Sequence, residues 1–336
     1  MKRFFYLCAT LILVGITGCQ QRDLSPVEEI RFLMDTVVRI SIYDAAQSPE
    51  AVAIAVDSAF AAMARVEQAA SIHVEESEIS ALVRAAGRAP VKLSSDVHRL
   101  LHESVAIGRA TGGAFDCTIG AVKALWPFDE ENAVPPSAAA IAAALPLVDD
   151  VLIRFTENTA YLPKSGMRVD LGGVAKGLAI DRAVAALRRA GIKAGIVDAG
   201  GDLRILGAHP ARPQWGVGVR HPRAGLSTLF AALRIDSLAV ATSGDYERYF
   251  EYEGVQYHHL LNPQTGTPAR GAVSVTIKAP TAVLADAYAT AVFVMGPEAG
   301  MELIEKTAEI EGMILSLDGE DVIPLISSGL KSHIEF

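Results

Sequence analysis

Residues 192–207 read "IKAGIVDAGGDLRILG". Apolar, β-branched runs flank Gly200-Gly201, so the segment reads as a strand, a glycine break and a second strand, with no helix between them. Immediately upstream, "DLGGVAKGLAIDRA" (170–183) places Asp170 at the end of a predicted strand. Gly172-Gly173 follow, and Lys176 lies in the first turn of a helix predicted over 174–190. Such a segment either holds a phosphate and a metal or only links a strand to a helix, and taken alone it fits both.

Further out, "IRFLMDTVVRISIYDA" alternates and reads as one strand. "SPEAVAIAVDSAFAAMARVEQAAS" begins a helix at Ser48-Pro49, and "SSDVHRLLHESVAIGRATGGAFD" is a second helix ending at Gly112-Gly113. An insertion from about Pro127 carries a short alanine-rich helix, and "DVLIRFTENTAYLPKSGMRVDLGG" reads as two strands around Glu157-Asn158. Strands then run through "QWGVGVRHP" and "TLFAALRIDSLAVATSG" to a hairpin turning at Glu253-Gly254. "AVSVTIKAP", helices over 281–295 and 297–309 and a hairpin at Asp318-Gly319 complete the chain. Helices stand between runs of strands instead of alternating with them, so the predicted class is α+β.

The chain has 336 residues, enough for a substantial core. Its start, "MKRFFYLCATLILVGITGCQQ", has Lys2 and Arg3, an apolar run from Phe4 to Val14 and small residues before Cys19. That run is too short for a spanning helix, which needs about 20 residues, and the pattern is that of an export signal. Ile16-Thr17-Gly18-Cys19 resembles a bacterial lipobox, which makes Cys19 the expected lipidation site; the alternative is an ordinary signal with a chance cysteine. The expected division is a lipoprotein signal over 1–18, a tether over 19–28 and a single domain over 29–336. Losing Lys2 and Arg3 takes 30 basic residues to 28 against 39 acidic, a formal net of −11. Nucleic acid is not an expected partner of so acidic a surface, and membrane attachment would come from the lipid. Cys117 is the one other mature cysteine, and no Cys/His spacing suits zinc.

Three places could carry chemistry. Asp286 and Thr290 are one helical turn apart in a helix that is otherwise almost wholly apolar. Carboxylate and hydroxyl are hard ligands suited to magnesium. A charge buried there must be paired or metal-bound, though a solvated face is the ordinary alternative. In "YHHLLNPQTGTPA", strand alternation turns His258 and His259 to opposite faces, so only one can enter a site. In "GGAFDCTIG", Asp116 could hold a ring or a ribose, or cap the next turn.

In order along the chain, "FLMDTVV", "SEIS", "TGGAFDCTIG", "VDLGGVAKGLAID", "AGIVDAGGDLRILG", "ATSGDYERYF", "HHLLNPQTGTPA" and "TAVLADAYATA" resemble the ApbE family of FAD:protein FMN transferases. The resemblance runs from about residue 32 to 317. It implies a T-fold-like α+β structure with FAD in a cleft between two lobes. By position, Met34 would lie against the flavin or adenine, while Ala114, Phe115 and Asp116 would line the adenosine part. Asp170, Lys176 and Leu260 would also contact FAD, and His73 takes the place of a stacking aromatic residue. Gly173 would offer its carbonyl to magnesium beside Asp286 and Thr290, and His259 would be the general base. The implied acceptors are proteins bearing a flavinylation threonine, such as subunits of respiratory or Rnf-type complexes, and the implied location is the periplasmic face of the cell envelope.

The chemistry agrees with that likeness. Cleaving a pyrophosphate needs a cation on its oxygens, and a glycine break before a helix start suits a phosphate. A threonine hydroxyl needs a base, and an unperturbed imidazole titrates near about 6.5. Ala289 stands where the family often has an aspartate, and Asn262 replaces another in the turn after His259, where it should cap equally well. Two rival readings are an FAD pyrophosphatase yielding FMN and AMP, and a flavin-binding lipoprotein without catalysis. Retention of Asp286 and His259 favours an enzyme. Removing Asp286, read as an unpaired buried charge, is expected to leave the apo fold intact.

Overall fold

The computed structural model describes residues 25–44, 46–225 and 228–336; Cys19 and the signal lie outside the described residues. In chain order the elements are β1 (Val27–Leu33), β2 (Thr36–Ile42), α1 (Pro49–Ala70), α2 (Glu78–Arg84), β3 (Val91–Lys92), α3 (Ser95–Ala110), α4 (Gly120–Lys123) and α5 (Ala138–Ala144). There follow β4 (Arg154–Phe155), β5 (Thr159–Tyr161), α6 (Ala175–Arg189), β6 (Gly195–Ala199), β7 (Asp202–Leu206), β8 (Trp215–Arg220), β9 (Leu229–Ile235) and β10 (Ala239–Gly244). The last are β11 (Tyr249–Tyr252), β12 (Val255–His258), β13 (Ser274–Ala279), α7 (Ala282–Met295), α8 (Pro297–Lys306), β14 (Glu311–Asp318), β15 (Asp321–Ile326) and β16 (Ile334–Glu335).

The main sheet has eight strands in the order β1-β2-β6-β7-β10-β13-β14-β15, and its pairings are antiparallel. The α+β class is therefore as expected. Strand alternation sorts side chains between two cores. Ala239 and Ala241 of β10 and Ile314 of β14 join Val38, Ile40 and the apolar faces of α1, α6 and α7. Val240, Met313 and Leu315 point the other way, onto Trp215, Val217, Leu233 and Ile235 of the small sheet β16-β9-β8.

Three local readings change. The run read as one strand is a hairpin, because Met34 and Asp35 both have positive φ (55° and 58°) and reverse the chain in two residues. Positive φ at both central positions is the I′ geometry usually signalled by Asn-Gly; Met-Asp gives no such signal, and alternation continues across it. Asp170 follows an irregular stretch with one isolated bridge at Arg168, not a strand. Helix α2, capped by Ser77, lies in "SEISALVR" and is too short to show a helical period. The domain also begins slightly early, since Val27 and Glu28 of the expected tether belong to β1. Among the described residues, no helix is long and apolar enough to cross a membrane.

Helices α6 and α7 meet at Gly177. A Cβ there would stand 2.4 Å from the Ala282 carbonyl oxygen and 2.7 Å from Val283 Cα, both backbone atoms that cannot yield. Gly177→Ala is expected to destabilise the fold by about 1–3 kcal/mol through overpacking, read by denaturant unfolding. Gly254→Ala meets open space at φ 75° and should cost only the ~1–2 kcal/mol of left-handed strain. A Gly177→Ala protein as stable as wild type would refute the close approach.

Candidate active site

The Gly177 contact brings two buried carboxylates and a half-buried ammonium together. Its N–H donates to Asp286 Oδ2 at 3.1 Å. Lys176 Nζ lies 2.7 Å from Asp202 Oδ2, and Asp202 Oδ1 accepts from the Thr242 N–H at 2.9 Å. Burial, with Asp202 adding to it, pushes the Asp286 carboxyl well above its ordinary range against the pull of Lys176. Burial pulls Lys176 down, but Asp202 and Asp286 outweigh it and hold the ammonium charged. Asp286 is thus not the unpaired charge expected from sequence. Removing it leaves the Gly177 N–H without its acceptor and Lys176 with one fewer counter-charge. Asp202, which sequence reasoning missed, is an aspartate beside a Gly-Gly pair, the same signal that singled out Asp170.

One turn along α7 from Asp286, Thr290 meets the glycine break. A Cβ at Gly173 would stand 3.1 Å from Thr290 Oγ1 and 3.2 Å from Phe115 Cε2. Gly173, Thr290 and Phe115 therefore line a cradle that any side chain at 173 would fill. Ahead of α6 there is no side-chain cap, whereas Ser48, Ser77, Ser94, Ser137 and Thr281 cap α1, α2, α3, α5 and α7. Carboxylate, hydroxyl and backbone carbonyl are the hard oxygen donors that magnesium takes, so the residues fit that ion. Among the described residues no group of three or more His, Cys, Asp or Glu could hold a metal; the remaining ligands would be water or substrate oxygens. Ala289 is fully buried beside them.

Asp170 is held from two sides: Oδ1 accepts from the Gly172 N–H at 2.7 Å and Oδ2 pairs with Lys123 Nζ at 2.7 Å. Burial raises this carboxyl, but Lys123 and the Gly172 N–H outweigh it and keep it below its ordinary range. His73, Lys123, Trp126, Arg168, Asp170 and Arg248 line a cavity of about 570 Å³. Four cations (Arg84, Lys123, Arg168 and Arg248) face three acids (Glu75, Asp129 and Asp170) there, with Lys123 paired to Asp170 and Arg248 to Asp129, so the cavity carries a small positive excess. Lys123, Arg168 and Arg248 were not found from sequence, because single basic residues in loops or, like Lys123, in a four-residue helix carry no pattern.

A second cavity of about 570 Å³ is lined by Gly112, Gly113, Asp116, Asp149, Asp150 and Gln264, among others. Of the uses open to Asp116, the structure shows capping: it accepts from the Thr118 N–H at 2.7 Å and the Asp150 N–H at 3.2 Å. Burial first, then Asp116, pushes the Asp150 carboxyl up to about 7. Ala114 and Phe115 are buried in the main core, as is Leu260. Met34 packs partly against it, with its N–H on Glu67 at 2.8 Å.

The two histidines face opposite ways, as alternation requires. His258 is buried edge-on to Phe293, and its Nε2 bonds the Ala269 carbonyl at 3.0 Å. His259 is partly exposed, and its Nδ1 lies 3.1 Å from the Arg248 carbonyl. A carbonyl only accepts, so Nδ1 carries the proton and Nε2 is left free as an acceptor. Burial, and then the Lys123 charge, lower the His259 pKa to about 3, far below the ordinary value near about 6.5. Asn262 does cap its turn, accepting from the Gln264 N–H at 2.8 Å.

Comparison with known proteins gives this geometry a family. The chain is 32% identical to the FAD:protein FMN transferase of Treponema pallidum, over 91% of this chain and 89% of that one. It is 30% identical to that of Klebsiella pneumoniae, over 79% and 83%. The crystal structure of the ApbE protein from Thermotoga maritima superposes with a TM-score of 0.84 at 33% identity, covering 92% of this chain and 99% of that one. The flavin transferase ApbE from Vibrio cholerae superposes with a TM-score of 0.81 at 25% identity, over 92% and 99%. The ApbE family profile matches residues 34–314, and the chain belongs to that family.

Proposed function

We propose that the protein transfers FMN from FAD to a threonine hydroxyl of an acceptor protein, with magnesium bound by Asp286, Thr290 and the Gly173 carbonyl. The observation that carries this reading is the Gly173–Thr290 cradle, one turn of α7 from Asp286 and joined through Gly172 to Asp170 and Lys123 in the cavity wall. The named relatives share the activity. FAD would lie in a cleft between two lobes, with its pyrophosphate toward the cradle. Magnesium, when bound, would supply charge neutralisation on the phosphate oxygens.

The threonine oxygen attacks the FMN-side phosphorus, its proton passes to His259 Nε2, and the bridging P–O bond breaks so that AMP leaves with the electron pair. Products are an FMN–threonine phosphoester and AMP. A ring with a pKa near about 3 is always neutral at working pH but weakly basic. The negative pyrophosphate would offset Lys123, the second cause after burial, and so strengthen the base in part when substrate arrives. Lipidation at Cys19 would hold the enzyme on the periplasmic side of the envelope, where its acceptors would be membrane-complex subunits.

Asp286→Asn should lower transfer by roughly 10²–10³-fold, the size of losing one preorganised electrostatic group, and should abolish the thermal shift given by magnesium with FAD. Full activity with magnesium still required would remove Asp286 from the metal site.

His259→Asn should slow transfer by roughly 10²–10⁴-fold with FAD affinity nearly unchanged; wild-type turnover in that variant would rule the base out. The pH profile is a separate check. Because the free enzyme holds His259 neutral to about 3, kcat/KM should show no loss from this ring between about pH 8 and pH 5, where an unperturbed histidine would protonate. The acid limb of kcat, which reports the substrate complex, should lie higher. A kcat/KM that falls through pH 6.5 and loses that limb in His259→Asn would contradict the depressed value. The same shift has a stability sign: the unfolded ring binds a proton below about 6.5 and the folded one does not, so acid from there downward destabilises the fold through His259.

A further inference from the structure

The outer face of the main sheet is not evenly covered. The small sheet β16-β9-β8 seals Ile205, Val240, Met313 and Leu315, but the far end, the β1–β2 hairpin, lies beyond it. There Ile30 is 53% exposed, Phe32 71% and Val37 54%. The register makes them one patch: Phe32 sits directly opposite Val37, and Ile30 is two residues along the same face. Val27, with similar exposure, has the opposite parity and lies on the α1 side, where Arg31 covers the Phe60 ring. An exposed apolar cluster on an edge strand is a liability that proteins usually blunt with charge. On this face lie Glu28, Arg39 and Asp198, the last directly across from Arg39, so two acids and one base edge the patch.

Fully extended, the chain from Cys19 to the start of β1 at Val27 reaches at most about 28 Å, at roughly 3.5 Å per residue. If Cys19 is acylated, β1 is the element that cannot leave the neighbourhood of the bilayer. We infer that the Ile30–Phe32–Val37 face is a membrane-docking surface that rests on the lipid headgroup–acyl boundary and fixes the orientation of the tethered enzyme. This rests on the reading of Cys19 as lipidated. The acyl chain supplies the attachment, and the patch supplies the direction. With two acids and one base beside it, the face gains nothing from anionic lipid. The hairpin tip also carries Met34 and Asp35, and Asp35 lies 3.8 Å from Arg248 at the basic cavity. Docking would therefore bring the mouth of the site close to the membrane surface, within reach of a membrane-bound acceptor.

The test uses the full chain, purified with its native N-terminus and reconstituted into phosphatidylcholine vesicles with or without brominated acyl chains. Trp126 and Trp215 are both buried, so the wild type gives the background for added tryptophans. Phe32→Trp should be quenched by brominated lipid roughly two-fold if it sits about 5–10 Å into the interface, equally with and without phosphatidylglycerol. Val27→Trp, on the other side of the same strand, should be quenched little. No quenching of Phe32→Trp in vesicle-bound protein overturns the docking face and leaves the lipid anchor standing. So does a Phe32→Trp emission that shifts with protein concentration and not with bromination, which marks a contact between two copies. An N-terminus without acyl chains by mass spectrometry, with Cys19→Ser no less membrane-bound, sinks the anchor and the docking face with it.

Discussion

The approach of α6 to α7 at Gly177 is the constraint on which the site depends. Because residue 177 has no Cβ, the backbone of α6 touches the first turn of α7, and a backbone N–H is brought to a carboxylate in an otherwise apolar helix. That contact sets Asp286 beside Lys176 and Asp202, and it sets Thr290, a turn further on, against Gly173. Two helices and the start of β7 are thereby locked by one buried charge cluster. Burying two carboxylates beside a half-buried ammonium is unfavourable in itself, since desolvation can exceed the mutual attraction. Burial first, and after it the excess of one negative charge in the cluster, hold the Asp286 carboxyl high. A cation arriving near Asp286 would relieve that imbalance, which is a stronger reason for metal chemistry here than the residue types alone.

Most of the elements were legible because their signals are local. Ser48-Pro49 opens α1, Glu253-Gly254 turns the β11–β12 hairpin with positive φ at both residues (50° and 75°), and Thr281 caps α7. The β1–β2 turn was not, since Met34 and Asp35 adopt a conformation that neither residue advertises and the surrounding sheet pairing imposes it. Of the site, the residues on glycine breaks and in the anomalous helix stood out: Asp170, Gly173, Asp286 and Thr290. What stayed hidden was pairing. Lys123 and Asp202 matter because of what they face across the fold, at separations no periodicity can report. Asp116 has the same kind of hidden pairing, its carboxylate accepting from the Thr118 and Asp150 N–H groups while it lines the second cavity.

Lys123 links the two halves of the site's electrostatics. It holds Asp170 ionised on one side, and after burial it is the largest influence keeping His259 neutral on the other. Those effects oppose each other with respect to an incoming diphosphate. Ion-pairing with Asp170 reduces the free positive charge of the cavity, while any residual field of the ammonium weakens the base. A pyrophosphate placed near Lys123 competes with Asp170 for it and, by adding negative charge, restores basicity to His259. Such a diphosphate would strengthen the ring for whichever hydroxyl reaches its Nε2, so the choice between threonine and water would rest on access to that nitrogen and not on its basicity.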